Sequence, residues 1–274
     1  MIGTTHNVLI TGAAGHLGGK LMDHLATDPR FVVSGLDIHP GNRENLYAAD
    51  LGDDGSWVGC LDGVDTIVHL AGDSAPEASW KSAIRNNMDS TARLFHHAAE
   101  AGVSRVVFAS TNWVQGGYRF RPDRLTPALD PLPVNAYGVS KLCCERLGAY
   151  FAQYRGLSVI CMRIGWLQRT QDNRPGPHMD MGRWGQDMWL SDRDYLQGMT
   201  AAVMAQGVDF AILNLISNNI GMRWDIEPTI RLIGYNPQDS HKAEISLGAQ
   251  LKSAALKLAN VTVPKFSQKY MRRW

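Results

Sequence analysis

The sequence predicts an α/β fold, a doubly wound parallel sheet with helices on both faces. Three observations carry that prediction. Short β-branched runs alternate with helical patterns along most of the 274 residues. These runs are nearly continuous in apolar residues, as strands buried on both faces require. The first run leads at once into a glycine-spaced turn and a helix. A chain of this length buries roughly three-quarters of its unfolded surface, enough for one large core.

The elements follow in order. NVLIT at 7–11 reads as a strand and His16 to Ala26 as a helix; FVVSGLD at 31–37 is the second strand. DTIVHL at 65–70 is the third, followed by a long helical pattern over about 76–101 and then SRVVFAS at 104–110. A helix over 136–155, a strand at 157–163, a helix at about 192–206 and a strand at 210–216 complete the alternation. Residues 1–163 hold the nucleotide-type half. Residues 164–274 add a loop, the last strand and C-terminal helices as a small C-terminal portion of the same compact unit. The tail from Ala249 to Trp274 reads as a helix with a basic end, and apolar positions from Leu247 to Leu258 suit either a subunit contact or closure of the core. The stretch 168–189 is rich in Pro, Gly, Arg and Trp, and an irregular segment that long is usually functional or disordered.

Composition excludes several function classes. A net charge of +1 gives no electrostatic footprint for nucleic acid. No run of 18 apolar residues and no charged-then-apolar leader occurs, so a cytoplasmic protein without a membrane span is expected. Cys60, Cys143, Cys144 and Cys161 form no C-x-x-C pair and read as reduced, mostly buried thiols. The histidines show no metal-ligand spacing, so no metal is expected.

After the first strand come Gly12, Gly15 and Gly18. Gly12 permits a tight turn, Gly15 lets backbone approach a pyrophosphate, and Gly18 lets the helix pack on the strand. The amides and the helix dipole then hold the anion. Asp37 ends the second strand, where a carboxylate accepts hydrogen bonds from ribose hydroxyls and repels a 2′-phosphate. That combination predicts a Rossmann-type dinucleotide site for NAD rather than NADP, a preference that the nearby Arg43 could soften. Asp50-Leu51 falls where an acid meets an adenine ring, and reads equally well as a solvated turn.

In AYGVSK, Tyr137 and Lys141 stand four residues apart on one helix face. A free phenol titrates near 10, so a base at neutral pH needs about 4 kcal/mol of differential stabilisation. A neighbouring ammonium and a cationic nicotinamide ring favour the phenolate.

Taken together, TGAAGHLGG, Asp37, HLAG at 69–72, Asn87, Ser110-Thr111 and Tyr137-x-x-x-Lys141 resemble the extended short-chain dehydrogenase/reductases over nearly the whole chain. The resemblance implies an NAD-dependent oxidoreductase acting on a CH–OH group. It implies Thr111, Tyr137 and Lys141 as catalytic groups, with Ser110 a weaker substitute for Thr111. It also implies coenzyme contacts at Gly12, Ala14, Gly15, His16, Leu17, Gly18, Asp37, Ile38, Asp50, Leu51, Leu70, Ala71, Gly72, Asn87 and Ile164, besides Tyr137 and Lys141. A homo-oligomer, paired through the Tyr137 helix and the long helix before the fourth strand, is the family's expectation.

Within the group, HLAGDS, STNW, RIGW and MWLSDRDY resemble uronate dehydrogenases and archaeal-type glucose-6-phosphate dehydrogenases. Both imply oxidation of a pyranose at C1 to a lactone. Carried over, substrate contacts fall on Ser74, Asn112, position 166 and Arg183; Thr111, Trp113 and His178 complete the candidate substrate set, with Trp166 at position 166. Trp113 and Trp166 stand where uronate dehydrogenases have His and Ser, which favours the sugar-phosphate branch. Of four tryptophans here, Trp113, Trp166, Trp184 and Trp189, the first two adjoin the matched motifs; an indole face suits the C–H side of a pyranose. Arg169, Arg174, His178 and Arg183 are candidates to pair with a carboxylate, phosphate or sulfonate at C6, with Arg183 leading. The partner is thus a small acidic sugar. The alternatives are a nucleotide-sugar epimerase of the same superfamily and a non-catalytic dinucleotide sensor.

Overall fold

The structure is a computed structural model describing residues 5–53 and 55–246, with the isolated positions 248, 251 and 255. Apart from those positions, the expected C-terminal helix and basic end lie outside the described residues, as does most of the 247–258 apolar run. Seven parallel strands form one sheet in the order β3-β2-β1-β4-β5-β6-β7. They are β1 His6–Thr11, β2 Phe31–Asp37, β3 Leu46–Ala48, β4 Thr66–His69, β5 Arg105–Thr111, β6 Ser158–Ile164 and β7 Phe210–Leu215. The helices are α1 His16–Ala26, α2 Trp80–Ser82, α3 Ser90–Glu100, α4 Ala136–Arg155, α5 Arg183–Asp187, α6 Asp192–Met204 and α7 Glu227–Ile233. The doubly wound expectation holds, with six of the strands at the predicted places. The three-residue edge strand β3 and the short helices α5 and α7 carry too little periodicity to be seen in the sequence.

The strand order reverses between β1 and β4. The crevice outside their carboxyl ends is where this topology leaves room for a ligand. Apolar side chains fill both faces of the sheet. On one face Val8, Ile10, Val107 and Ile160 pack with Leu21, Tyr195 and Met199 of α1 and α6. On the other, Leu9, Ile67, Val106 and Val159 pack with Leu94, Phe95 and Phe151 of α3 and α4. Strands sandwiched in this way explain the unbroken apolar runs. Cys144 and Cys161 are buried thiols, Cys60 is half-buried and Cys143 is exposed.

Two local features fix the functional helix. The Asn135 side chain caps α4 by accepting the Gly138 N–H at 2.7 Å. A Cβ on Gly138 would stand 2.7 Å from the Trp113 carbonyl oxygen, so the first turn of α4 presses directly on the chain after β5. The buried face of α4 runs through Tyr137, Lys141, Cys144, Gly148 and Phe151, the spacing of one helix stripe. Between α2 and α3 the helix widens into a π-helical segment, Ala83–Asp89. Such segments often mark functional sites.

Candidate active site

The turn after β1 holds the shape its glycines promise. Gly12 has φ +69°, and a Cβ there would stand 2.8 Å from the Ala71 nitrogen. A Cβ on Gly18 would lie 2.2 Å from the Gly12 carbonyl oxygen, so α1 and β1 meet at backbone contact. Asp37 accepts the Ala14 N–H at 3.0 Å and the His39 N–H at 2.9 Å, which locks the carboxylate at the end of β2. Arg43 forms an ion pair with Asp23 of α1. Asp50 accepts from the Gly52 N–H at 2.8 Å and pairs with Arg85 at 3.0 Å.

The second wall comes from β4 and the segment after it. Gly72 has φ +140°, and a Cβ there would stand 2.6 Å from Asn87 Oδ1. Asn87 Oδ1 accepts the Asp73 N–H at 2.8 Å, and its Nδ2 donates to Ser140 Oγ at 3.0 Å. One buried amide thus fastens the chain after β4 to α4. Beneath it, the His69 ring bridges the hydroxyls of Thr11 and Thr91 at 2.7 and 3.0 Å. Burial, then the nearby Lys141 ammonium, pushes His69 down to about 3, so it stays neutral.

Tyr137 and Lys141 are both buried. The Lys141 ammonium lies 4.7 Å from the centroid of the Phe108 ring and 6.0 Å from that of Tyr137. Burial pushes Lys141 down to about 8. Burial also pushes the Tyr137 phenol up to about 12, opposed by its hydrogen bond to Thr111 and reinforced by the charge of Asp73. The sequence argument expects a lowered phenol. The polypeptide's own groups do the reverse, because desolvation penalises the phenolate more than the Thr111 hydrogen bond favours it. Ser110, the weaker substitute for Thr111, also lines the cleft, and its hydroxyl donates to Glu145 Oε1 at 2.6 Å. Glu145 in turn takes two hydrogen bonds from Arg163, at 2.8 and 2.9 Å, in a fully buried ion pair. Sequence reading missed this pair, which joins α4 to β6 and has no local signature.

A cleft of about 1360 Å³ unites these parts. That exceeds the roughly 300–1,000 Å³ of a single small-ligand pocket. Its wall includes Gly12, Gly15, His16, Leu17, Gly18, Asp37, Ile38, Asp50, Leu51, Leu70, Ala71, Gly72 and Ile164 from the coenzyme prediction, with Thr111, Tyr137 and Lys141. Ser74, Asn112, Trp113, Trp166 and His178 of the substrate prediction also line it. Ala14 and Asn87 lie behind the wall, holding Asp37 and Asp73. Trp184 and Trp189 are core residues: Trp184 packs on Trp224, with ring centroids 4.6 Å apart, and the Trp189 indole donates to the Asn173 carbonyl at 2.8 Å.

Arg183 leads the sequence reading of the loop arginines. It opens α5 after Gly182, whose φ is +60°; it is exposed, while Trp184 takes the inward position. Arg183 is absent from the cleft wall, and Arg169 is on it. No sequence pattern separates these two loop arginines.

The cleft fits a dinucleotide. The glycine turn leaves backbone free where a Cβ would obstruct, Asp37 stands on the cleft wall at the end of β2, and His16 Nε2 at the start of α1 is buried without a partner among the described residues. Among the described residues no helix is long and apolar enough to cross a membrane.

Known proteins agree with the geometry. Residues 8–167 match the model of the NAD dependent epimerase/dehydratase family. An NAD-dependent glucose-6-phosphate dehydrogenase of Haloferax volcanii is 36% identical over 85% of this chain and 93% of that protein. An L-arabinose 1-dehydrogenase (NAD(P)(+)) of the same organism is 35% identical over 85% of this chain and 96% of that protein. A solved mutant uronate dehydrogenase from Agrobacterium tumefaciens, complexed with NAD, superposes with a TM-score of 0.73 at 27% identity, covering 86% of each chain. With the glycine turn, Asp37 and the buried Tyr137–Lys141 pair all facing one cleft, the chain belongs to the NAD dependent epimerase/dehydratase family, and its coenzyme is NAD.

Proposed function

We propose that the protein oxidises C1 of an acidic aldopyranose, a 6-phosphate, 6-sulfonate or hexuronate, to the lactone, with Tyr137 as general base. The balance is aldose plus NAD giving lactone, NADH and a proton. Bound NAD supplies the acceptor for the hydride leaving C1. The observation that carries the reading is the convergence of the Thr111 hydroxyl, the Tyr137 phenol and the Lys141 ammonium on the cleft that also holds the glycine turn.

Each group has a task. Tyr137 takes the proton of the C1 hydroxyl, and Thr111 steadies the same oxygen. Lys141 favours the phenolate and holds ribose hydroxyls of the coenzyme. Asn112 donates to the Ile164 carbonyl at 3.1 Å, which leaves its buried Oδ1 without a partner and ready to accept from a sugar hydroxyl. Trp113 and Trp166 offer indole faces to the pyranose, and His178 brings a basic group to the same wall. Relatives named for glucose 6-phosphate and uronate support an acidic sugar. Ser74 completes the polar set.

A homo-oligomer fits the exposed aromatic and apolar side chains Trp80 and Ile84 at the start of the 80–100 helical stretch and Tyr150 and Tyr154 on α4. Incubation of the protein with NAD and each of glucose 6-phosphate, 6-deoxy-6-sulfoglucose, glucuronate and galacturonate tests the proposal. Reduced coenzyme accumulates with at least one of them, one equivalent per lactone formed. Silence with all four contradicts it, and sugar converted without accumulating NADH points to an epimerase.

A further inference from the structure

We infer that Arg169 binds the diphosphate of the coenzyme, across from the glycine turn, instead of the acid group of the sugar. The inference rests on the coenzyme assignment and is independent of which sugar is oxidised.

A diphosphate bound at the start of α1 meets backbone amides and a helix dipole, but no side-chain charge from the turn itself. The arginine and lysine side chains on the cleft wall are Arg85, Lys141 and Arg169. Arg85 is committed to Asp50 and Asp53, at 3.0 and 3.6 Å. Lys141 is buried against Phe108 beside Tyr137. Just behind the turn, Lys20 is paired with Asp192 and Arg43 with Asp23. Arg169 alone is exposed on the wall and pairs with no acid among the described residues.

Its position is built. Gln168 is buried, its N–H donates to Asn173 Oδ1 at 2.7 Å, and its side-chain amide donates to the Arg174 carbonyl. Asn173 Nδ2 donates to the Leu190 carbonyl at 3.0 Å and to Asp192 Oδ1 at 2.9 Å, anchoring the loop to the start of α6. Gln171, Asp172 and Asn173 hold φ of 58°, 50° and 55°, a left-handed turn that non-glycine residues adopt only when their surroundings impose it. This turn sets Arg169 on the side of the cleft occupied by His16, the first residue of α1. Its charge, after burial and Lys20, helps hold the His16 imidazole below its ordinary value. A planar guanidinium there can grip two phosphate oxygens at once.

The test is fluorescence titration of the full chain with NADH and, by displacement, with ADP-ribose, no sugar being present. Arg169→Ala weakens both ligands by about tenfold, the loss expected of one charge-assisted contact, and flattens the salt dependence of binding. Arg169→Lys recovers part of the affinity, since charge remains but the fork is gone. Arg174→Ala, a loop arginine off the wall, leaves binding unchanged. The inference fails if Arg169→Ala binds NADH within about twofold of the parent, if Arg174→Ala weakens binding equally, or if the loss appears only in the KM for the sugar.

Discussion

The Lys141 ammonium lies 6.0 Å from the centroid of the Tyr137 ring, one turn further along the same buried face of α4. That spacing places a charge beside the phenol, and among the described residues no acid forms an ion pair with it. Lys141 is held by surroundings that oppose its charge: burial pushes it down to about 8. A lysine whose folded value falls below its unfolded one destabilises the fold at low pH, and the cost disappears as pH rises from the folded to the unfolded value.

Lys141→Met therefore stabilises the coenzyme-free protein at pH 7 while removing activity. The gain is about 3 kcal/mol at most, less whatever the contact with Phe108 returned. It shrinks as pH climbs from about 8 towards the ordinary lysine value, because the parent ceases to carry the buried charge. Thermal unfolding of both proteins across that range reads the difference directly. A variant less stable than the parent at every pH would mean that the ammonium is well solvated or paired.

Glu145 and Arg163 lock α4 to β6 beneath the catalytic groups, and Ser110 joins them. Removing one partner leaves an uncompensated buried charge, so Glu145→Gln or Arg163→Met alone costs roughly 3–5 kcal/mol in urea unfolding. The double replacement Glu145→Leu with Arg163→Met recovers most of that loss, because an apolar pair of similar volume replaces the ion pair. Single variants as stable as the parent would show that the pair is incidental.

These cases mark what the sequence discloses. The glycine turn, Asp37 and Tyr137–Lys141 are legible because each depends on backbone geometry or on a fixed spacing within one element. Strands β1, β2, β4, β5, β6 and β7 are legible because burial on both faces leaves continuous apolar runs. The Glu145–Arg163 pair is not, since its members lie on different elements and each alone reads as a surface charge. The exchange of Arg183 for Arg169 on the cleft wall has the same origin: which loop arginine turns inward is set by Gly182, Asn173 and the packing of Trp184 and Trp189. The direction of the Tyr137 shift is hidden too, because burial of a phenol is a property of the assembled fold.

Tyr137→Phe, assayed on the sugar that turns over and titrated with NADH, tests the central claim most directly. The replacement removes only the phenolic oxygen from a buried ring. The account predicts a fall in kcat of roughly 10²- to 10⁴-fold, the worth of a positioned general base. NADH binding stays within about twofold, because the ring and Lys141 remain in place. Turnover close to that of the parent would contradict it and assign the proton transfer to another group.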